Sequence, residues 1–178
     1  LVSLQSDTER RIVTLKGNHE HMMLRFMEDG PKGRGWLAHG GYETMLSYGI
    51  EGITENAPDT KLREAGARLR AALGARSVAF LEGLELQFRS GNICVTHAGA
   101  DPTREIDAQS EKALIWGSSR LKSRPRKDGI WVVHGHIVQG AVENEQGRIN
   151  VDTGAYFSDC LSAAFLYQGE VRVLEARV

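Results

Sequence analysis

Ile12-Val13-Thr14-Leu15-Lys16-Gly17-Asn18-His19-Glu20 is the stretch whose reading decides the fold. A β-branched apolar run breaks at a glycine and gives way at once to an amide, an imidazole and a carboxylate. Strand ends that turn into helices are where α/β folds collect their chemistry. Two further imidazole motifs repeat the pattern downstream. Thr96-His97-Ala98-Gly99 follows Ile93-Cys94-Val95, and His134-Gly135-His136 follows Ile130-Trp131-Val132-Val133. Three strand ends that each deliver nitrogen or oxygen donors point to one assembled metal site.

Outward from these motifs, the chain reads as helices first and strands later. The run Arg11 to Lys16 predicts a strand, and Glu20 to Met27 a helix stopped by Asp29-Gly30-Pro31. Gly33 to Gly41 is loop-like, with Trp36 and Leu37 docking on the core. Tyr42 to Tyr48 predicts a short helix closed by Gly49. Pro58-Asp59-Thr60 opens a longer helix whose Leu62, Ala65, Leu69, Ala72 and Leu73 form one apolar stripe. A separate short helix runs from Ala75 to Leu81. Leu84 to Arg89, the turn Ser90-Gly91-Asn92 and Ile93 to Thr96 make a hairpin. Glu111 to Trp116 is a helix and Trp131 to Val133 a buried strand. Ala141-Val142, Ile149 to Val151, Leu161 to Leu166 and Val171 to Leu174 form a closing meander. Early helices and late strands predict a sheet-based, layered α/β domain rather than a doubly wound one. Leu1 to Gln5 reads as the tail of a helix and Ser6 to Glu9 as the turn after it, so the chain is expected to continue a longer one.

Composition narrows the function classes. The chain has 178 residues, enough for one domain spanning 1–178, with 41% hydrophobic and 25% charged residues. A net charge of -1 gives no electrostatic case for nucleic acid or an anionic membrane. The basic stretch Arg120 to Lys127 reads as a solvated loop. No apolar run approaches the ~20 residues of a membrane span. Two cysteines, Cys94 and Cys160, make no disulfide framework, and a reducing cytoplasmic setting is expected.

Imidazole nitrogens with oxygen donors suit Mn, Fe, Zn and Co. Asn18 offers a carbonyl oxygen, and His97 and His136 each offer a ring nitrogen. His19 points differently from Asn18 and need not be a ligand. Beside a bound phosphate it is placed to protonate a leaving oxygen, a contribution of ~10²–10⁴-fold in rate. His21 and His39 carry weak signals and are expected on a helix or loop surface. Singly, each motif also reads as turn chemistry or a core histidine, which leaves a β-rich structural domain as one alternative.

The motifs Lys16-Gly17-Asn18-His19-Glu20, Thr96-His97-Ala98-Gly99 and Val133-His134-Gly135-His136 resemble the later motifs of calcineurin-like metallophosphoesterases. Met22-Met23-Leu24, Ser47-Tyr48-Gly49 and Ile149-Asn150-Val151-Asp152-Thr153-Gly154-Ala155 bring the bacterial PPP-type serine/threonine protein phosphatases nearest within that superfamily. The resemblance implies an α/β layered sandwich of two mixed β-sheets flanked by helices, with the first strands lacking in this chain. It implies two divalent metals, manganese first, with iron, zinc or cobalt as alternatives. Asn18, His97 and His136 match ligands of the second metal, and His19 matches the general acid. Glu20 supports that loop, His134 stands behind the ligands, and Asp152 with Thr153 orients groups at the site.

Two departures shape the expectation. The family's Gly-Asp-x-His and Gly-Asp-x-x-Asp-Arg motifs are not in these residues, so at most one ion is expected to be well held. Ser118 stands where the family places a phosphate-binding arginine, leaving Arg120 as a candidate replacement. The expected function is a metal-dependent phosphoric-ester hydrolase acting as a serine/threonine protein phosphatase, the chain being a C-terminal portion with weak or no activity alone. A dinucleoside-polyphosphate hydrolase and a non-catalytic metal-binding or interaction module are the alternatives. The substrate is a phosphorylated protein or small phosphoester, selected by the loops Asp29 to His39 and Ser118 to Asp128. A partner chain is expected to cover the apolar edge left on the strand Arg11 to Lys16.

Overall fold

The computed structural model describes residues 11–121 and 123–177. The helix tail expected at Leu1–Gln5 and the turn at Ser6–Glu9 lie outside them. The chain divides into two compact units, one ending at Glu85 and the other starting at Leu86.

The first unit is helical. The expected strand Arg11 to Lys16 shrinks to a single parallel bridge between Leu15 and Glu85, flanked by Lys16 N–H donating to the Glu85 carbonyl at 2.8 Å. The partner segment is the reason: α4 ends just before Gly83, so few residues are left extended to build a ladder. Helix α1 spans Asn18–Glu28 and starts two residues earlier than its apolar spacing suggests. Glu20 Oε2 reaches back to accept the Gly17 N–H at 2.9 Å, one half of a capping box. Asp29 does not simply stop the helix. Its N–H donates to the Arg25 carbonyl while its own carbonyl accepts from Lys32 and Gly33, so α2, Gly30–Gly33, follows directly. A 3₁₀ helix, Arg34–Ala38, replaces the expected loop, and α3 spans Gly41–Ser47.

The long helix and the short one predicted after it both form: the span labelled α4, Asp59–Glu82, is two helices meeting at a kink at Gly74 (φ 75°, ψ 157°). The break lets Arg70 pair with Glu82 at 3.1 Å although they are twelve residues apart. Phe26, Met45, Leu62 and Leu69 are fully buried and form this unit's core with Trp36, whose ring stands 5.6 Å from that of Phe26. Gly66 allows α4 to touch α1 backbone: a Cβ there would lie 2.5 Å from the Phe26 carbonyl oxygen.

The second unit holds two sheets. The larger has the order β1-β2-β3-β5-β4, with β1 Gln87–Ser90, β2 Ile93–Thr96, β3 Trp131–His134, β4 Glu143–Glu145 and β5 Arg148–Asn150. The expected strand at Ala141-Val142 starts two residues later, at Glu143. β2, β3 and β5 run parallel, with Val95 opposite Val133 and His134 opposite Asn150, while β1 and β4 close the edges antiparallel. Cys94, Val132 and Ile149 are buried in this sheet, and Leu114 and Ile115 of α5, Glu111–Trp116, are buried beside Cys94 and Val132 in one cluster. Helix α6, Ala155–Ser158, leads into the second sheet, β6 Cys160–Tyr167 paired with β7 Glu170–Arg177. The smaller sheet is antiparallel rather than mixed, because two strands joined by a two-residue loop run antiparallel. Gln168 (φ 50°) and Gly169 (φ 84°) make that loop, and Gln146 and Gly147 repeat it between β4 and β5. Among the described residues no helix is long and apolar enough to cross a membrane.

Candidate metal centre

The parallel run β2-β3-β5 sends three loops out of one sheet edge, and each carries a predicted site residue. His97 follows β2, His136 follows β3 and Asp152 follows β5. The Gly135 N–H donates to the His97 carbonyl at 2.9 Å and joins the first two loops. The rings of His97 and His136 then stand 5.0 Å apart, inclined at 53°. A nitrogen about 2.1 Å from a cation puts its ring centroid roughly 3.2 Å away, so two imidazoles on adjacent coordination positions have centroids about 5 Å apart. The observed pair fits that requirement, and imidazole suits the late divalent ions.

His136 is held in a conformation that costs energy. Its φ is 67°, and the Ile137 N–H donates across it to the Gly135 carbonyl at 2.8 Å. This is a γ-turn of the rare, strained kind. A left-handed non-glycine residue costs about 1–3 kcal/mol and persists where its surroundings over-determine it, a pattern concentrated at functional sites. The indole of Trp116, at the end of α5, meets the His136 ring edge-on at 6.4 Å. Gly135 lies against the Asp152 loop: a Cβ there would stand in ordinary contact with Asp152 Oδ2, at 3.5 Å.

The remaining candidates are distributed as follows. Asp152 Oδ1 accepts the Gly154 N–H at 2.9 Å, which orients its carboxylate beside the histidine loops. Thr153 instead anchors the hairpin, donating to the Cys160 carbonyl at 2.7 Å. His134 is buried in β3, with Nδ1 2.9 Å from the Gly135 carbonyl oxygen. Arg120 is exposed, and its Nη1 lies 3.4 Å from Asp101 Oδ2. The Thr103 hydroxyl and N–H both donate to Asp101 Oδ1, at 2.7 and 2.9 Å, and hold that carboxyl below the usual range. A pair open to solvent on the arginine side contributes about 0–1 kcal/mol, so it holds Arg120 only weakly. Arg126 departs from the solvated loop expected of Arg120 to Lys127. Its side chain is buried, donates to the Asp101 and Arg104 carbonyls at 3.1 and 3.0 Å, and pairs with Asp128.

Asn18, His19 and Glu20 belong to the first unit. Asn18 is buried as the opening residue of α1, and His19 is exposed, with its Cε1 3.8 Å from where a Cβ on Gly40 would stand. Among the described residues no three His, Cys, Asp or Glu side chains gather closely enough to hold a metal by themselves. His97 and His136 are the two imidazoles that the sheet edge brings together. Sequence reasoning missed Asn150, which is fully buried between the site loops. Its signal was a polar residue inside the β-branched run Ile149-Asn150-Val151.

No protein-family model matches the chain, and no curated protein does. Among solved structures, one described as a "putative diadenosine tetraphosphatase" is similar over 98% of this chain and 72% of that one, with a TM-score of 0.58 at 17% identity. The chain shares the mixed α/β fold of that structure. That likeness speaks for the two-sheet α/β architecture predicted from the motifs, while substrate and chemistry rest on the residues themselves.

Proposed function

We propose that this chain carries the cation-binding part of a metal-dependent phosphoric-ester hydrolase. The single observation behind the reading is the His97–His136 pair, 5.0 Å apart at adjacent parallel strand ends. The fold likeness supports the same class. His97 and His136 would hold a divalent ion through their ring nitrogens, with the Asn18 carbonyl oxygen a further candidate donor on the motif resemblance alone. Such an ion supplies Lewis-acid stabilisation of the phosphoryl oxygens. His19, solvent-accessible at the start of α1, would deliver a proton to the leaving oxygen. Asp152 would accept a hydrogen bond from a ligand or substrate group, and Arg120 would leave Asp101 to bind a phosphoryl oxygen.

A phosphorylated serine or threonine is the first substrate considered, on the strength of the motif resemblance. A dinucleoside polyphosphate is the second, favoured by the name of the structural neighbour. Manganese is the first metal to try. Calorimetric titration with Mn²⁺ tests the core of the reading. Saturable binding, weakened at least a hundredfold by His97→Ala and by His136→Ala, is expected. Equal binding by all three proteins, or none by the unaltered chain, would overturn it. Parallel assays of a phosphopeptide and diadenosine tetraphosphate, with His19→Ala as the inactive control, separate the two substrates.

A further inference from the structure

We infer that Asn150 is the positioning residue that holds His136 in its ligand-presenting turn. The inference deepens the reading above and rests on it for the role of His136. Asn150 closes β5 opposite His134 and is 1% exposed. Both ends of its amide are engaged. Nδ2 donates to the Ile137 carbonyl at 2.6 Å, and Oδ1 accepts the Asp152 N–H at 3.1 Å. A carbonyl on one side and an N–H on the other leave one orientation for this amide.

The consequence for His136 is direct. The γ-turn fixes the Ile137 N–H on Gly135, and Asn150 fixes the Ile137 carbonyl. The residue after the strained histidine is therefore held at both polar backbone atoms. Backbone bonds lace the same loops, from Gln139 N–H to the Asp152 carbonyl at 2.9 Å and from Val151 N–H to the His134 carbonyl at 2.8 Å. Neither acts on the segment that turns at His136. The Asn150 side chain also spans from the His136 loop to the Asp152 loop, so it sets the spacing of imidazole and carboxylate. Leucine has the bulk but neither bond. Aspartate keeps the acceptor and, ionised, loses the donor. Buried groups that orient ligands in this way typically change metal affinity by about 10–100-fold when removed.

The test uses the full chain with Asn150→Leu and Asn150→Asp, read in two ways. In metal-free protein, amide hydrogen exchange is expected to quicken at Ile137 in both variants, and at Asp152 in Asn150→Leu, while the amides of β2 and β3 keep their protection. Mn²⁺ affinity, by calorimetry, is expected to fall about 10–100-fold in both variants, with an altered visible absorption spectrum when Co²⁺ replaces Mn²⁺. Should Asn150→Leu fail to fold, Asn150→Asp carries the donor half of the test alone. Unchanged exchange at Ile137 would overturn the inference, as would faster exchange spread evenly through the sheet. Localised loosening in a protein that binds no Mn²⁺ would sustain the positioning role and refute the metal reading.

Discussion

Replacing His136 by glycine or by alanine separates what the residue costs from what it does. Both changes remove the imidazole and its edge contact with Trp116, so both should abolish the proposed cation binding equally. They differ in backbone. At φ 67° alanine keeps its steric penalty and glycine has none. The relief is worth about 1–2 kcal/mol, offset by roughly 0.4–1 kcal/mol for the greater freedom of glycine in the unfolded chain. His136→Gly should therefore be more stable than His136→Ala by about 0.5–1 kcal/mol, or about 1–4 °C in melting temperature for a chain of this size. Urea and thermal unfolding followed by circular dichroism in a chelating buffer measure it. The ordinary order has alanine the more stabilising residue. Finding that order, or equality, would refute the claim that His136 stores strain.

Other consequences are as concrete. Gly66→Ala should destabilise by about 1–3 kcal/mol through overpacking, although the same change inside an open helix stabilises by about 1 kcal/mol, because the new methyl meets the Phe26 carbonyl oxygen at 2.5 Å. Gly35→Ala, where a Cβ meets nothing within 4 Å, is the matched control and should be neutral or mildly stabilising under the same melt. Co²⁺ should quench tryptophan fluorescence, and Trp116→Phe, which removes the indole 6.4 Å from the His136 ring, should remove most of that quenching, whereas equal quenching in both proteins would place the ion elsewhere. Asp128 has its carboxyl pKa lowered chiefly by the hydrogen bond from Arg126. A depressed carboxyl contributes stability above its unfolded value of about 3.9 and loses it as pH falls through the folded value. Asp128→Asn should thus flatten the stability loss below about pH 4 in acid titrations, and an unchanged slope would count against the pairing.

Much of this was legible in the residues, and what was not has identifiable causes. Helix α5 was read to its bounds because Ser110 accepts the Ala113 N–H at its start and Gly117 leaves the helix at φ 82°. Gly147 and Gly169 take positive φ in the two hairpin loops, a conformation few other residues take. The strand at Arg11 was over-read because a β-branched apolar run reports a willingness to be covered, not the presence of a partner. Arg126 was misjudged because charge in a polar run says nothing of the two carbonyls that tertiary folding brings to it. At the site, the histidines announced themselves by following apolar strands. The left-handed turn at His136 and the bridge made by Asn150 could not be seen, because both depend on two loops meeting across the sheet edge.

β6 carries no charge from Cys160 to Tyr167, and Leu161, Phe165 and Tyr167 lie exposed along one of its faces. Segments of this length, rich in apolar and aromatic residues and free of proline, are the ones that seed intermolecular stacking once loosened. The practical outcome is kinetic: on heating, chains whose hairpin has opened should capture one another faster than they refold. Calorimetric scans should then give little signal on the second pass, and the loss should grow with protein concentration.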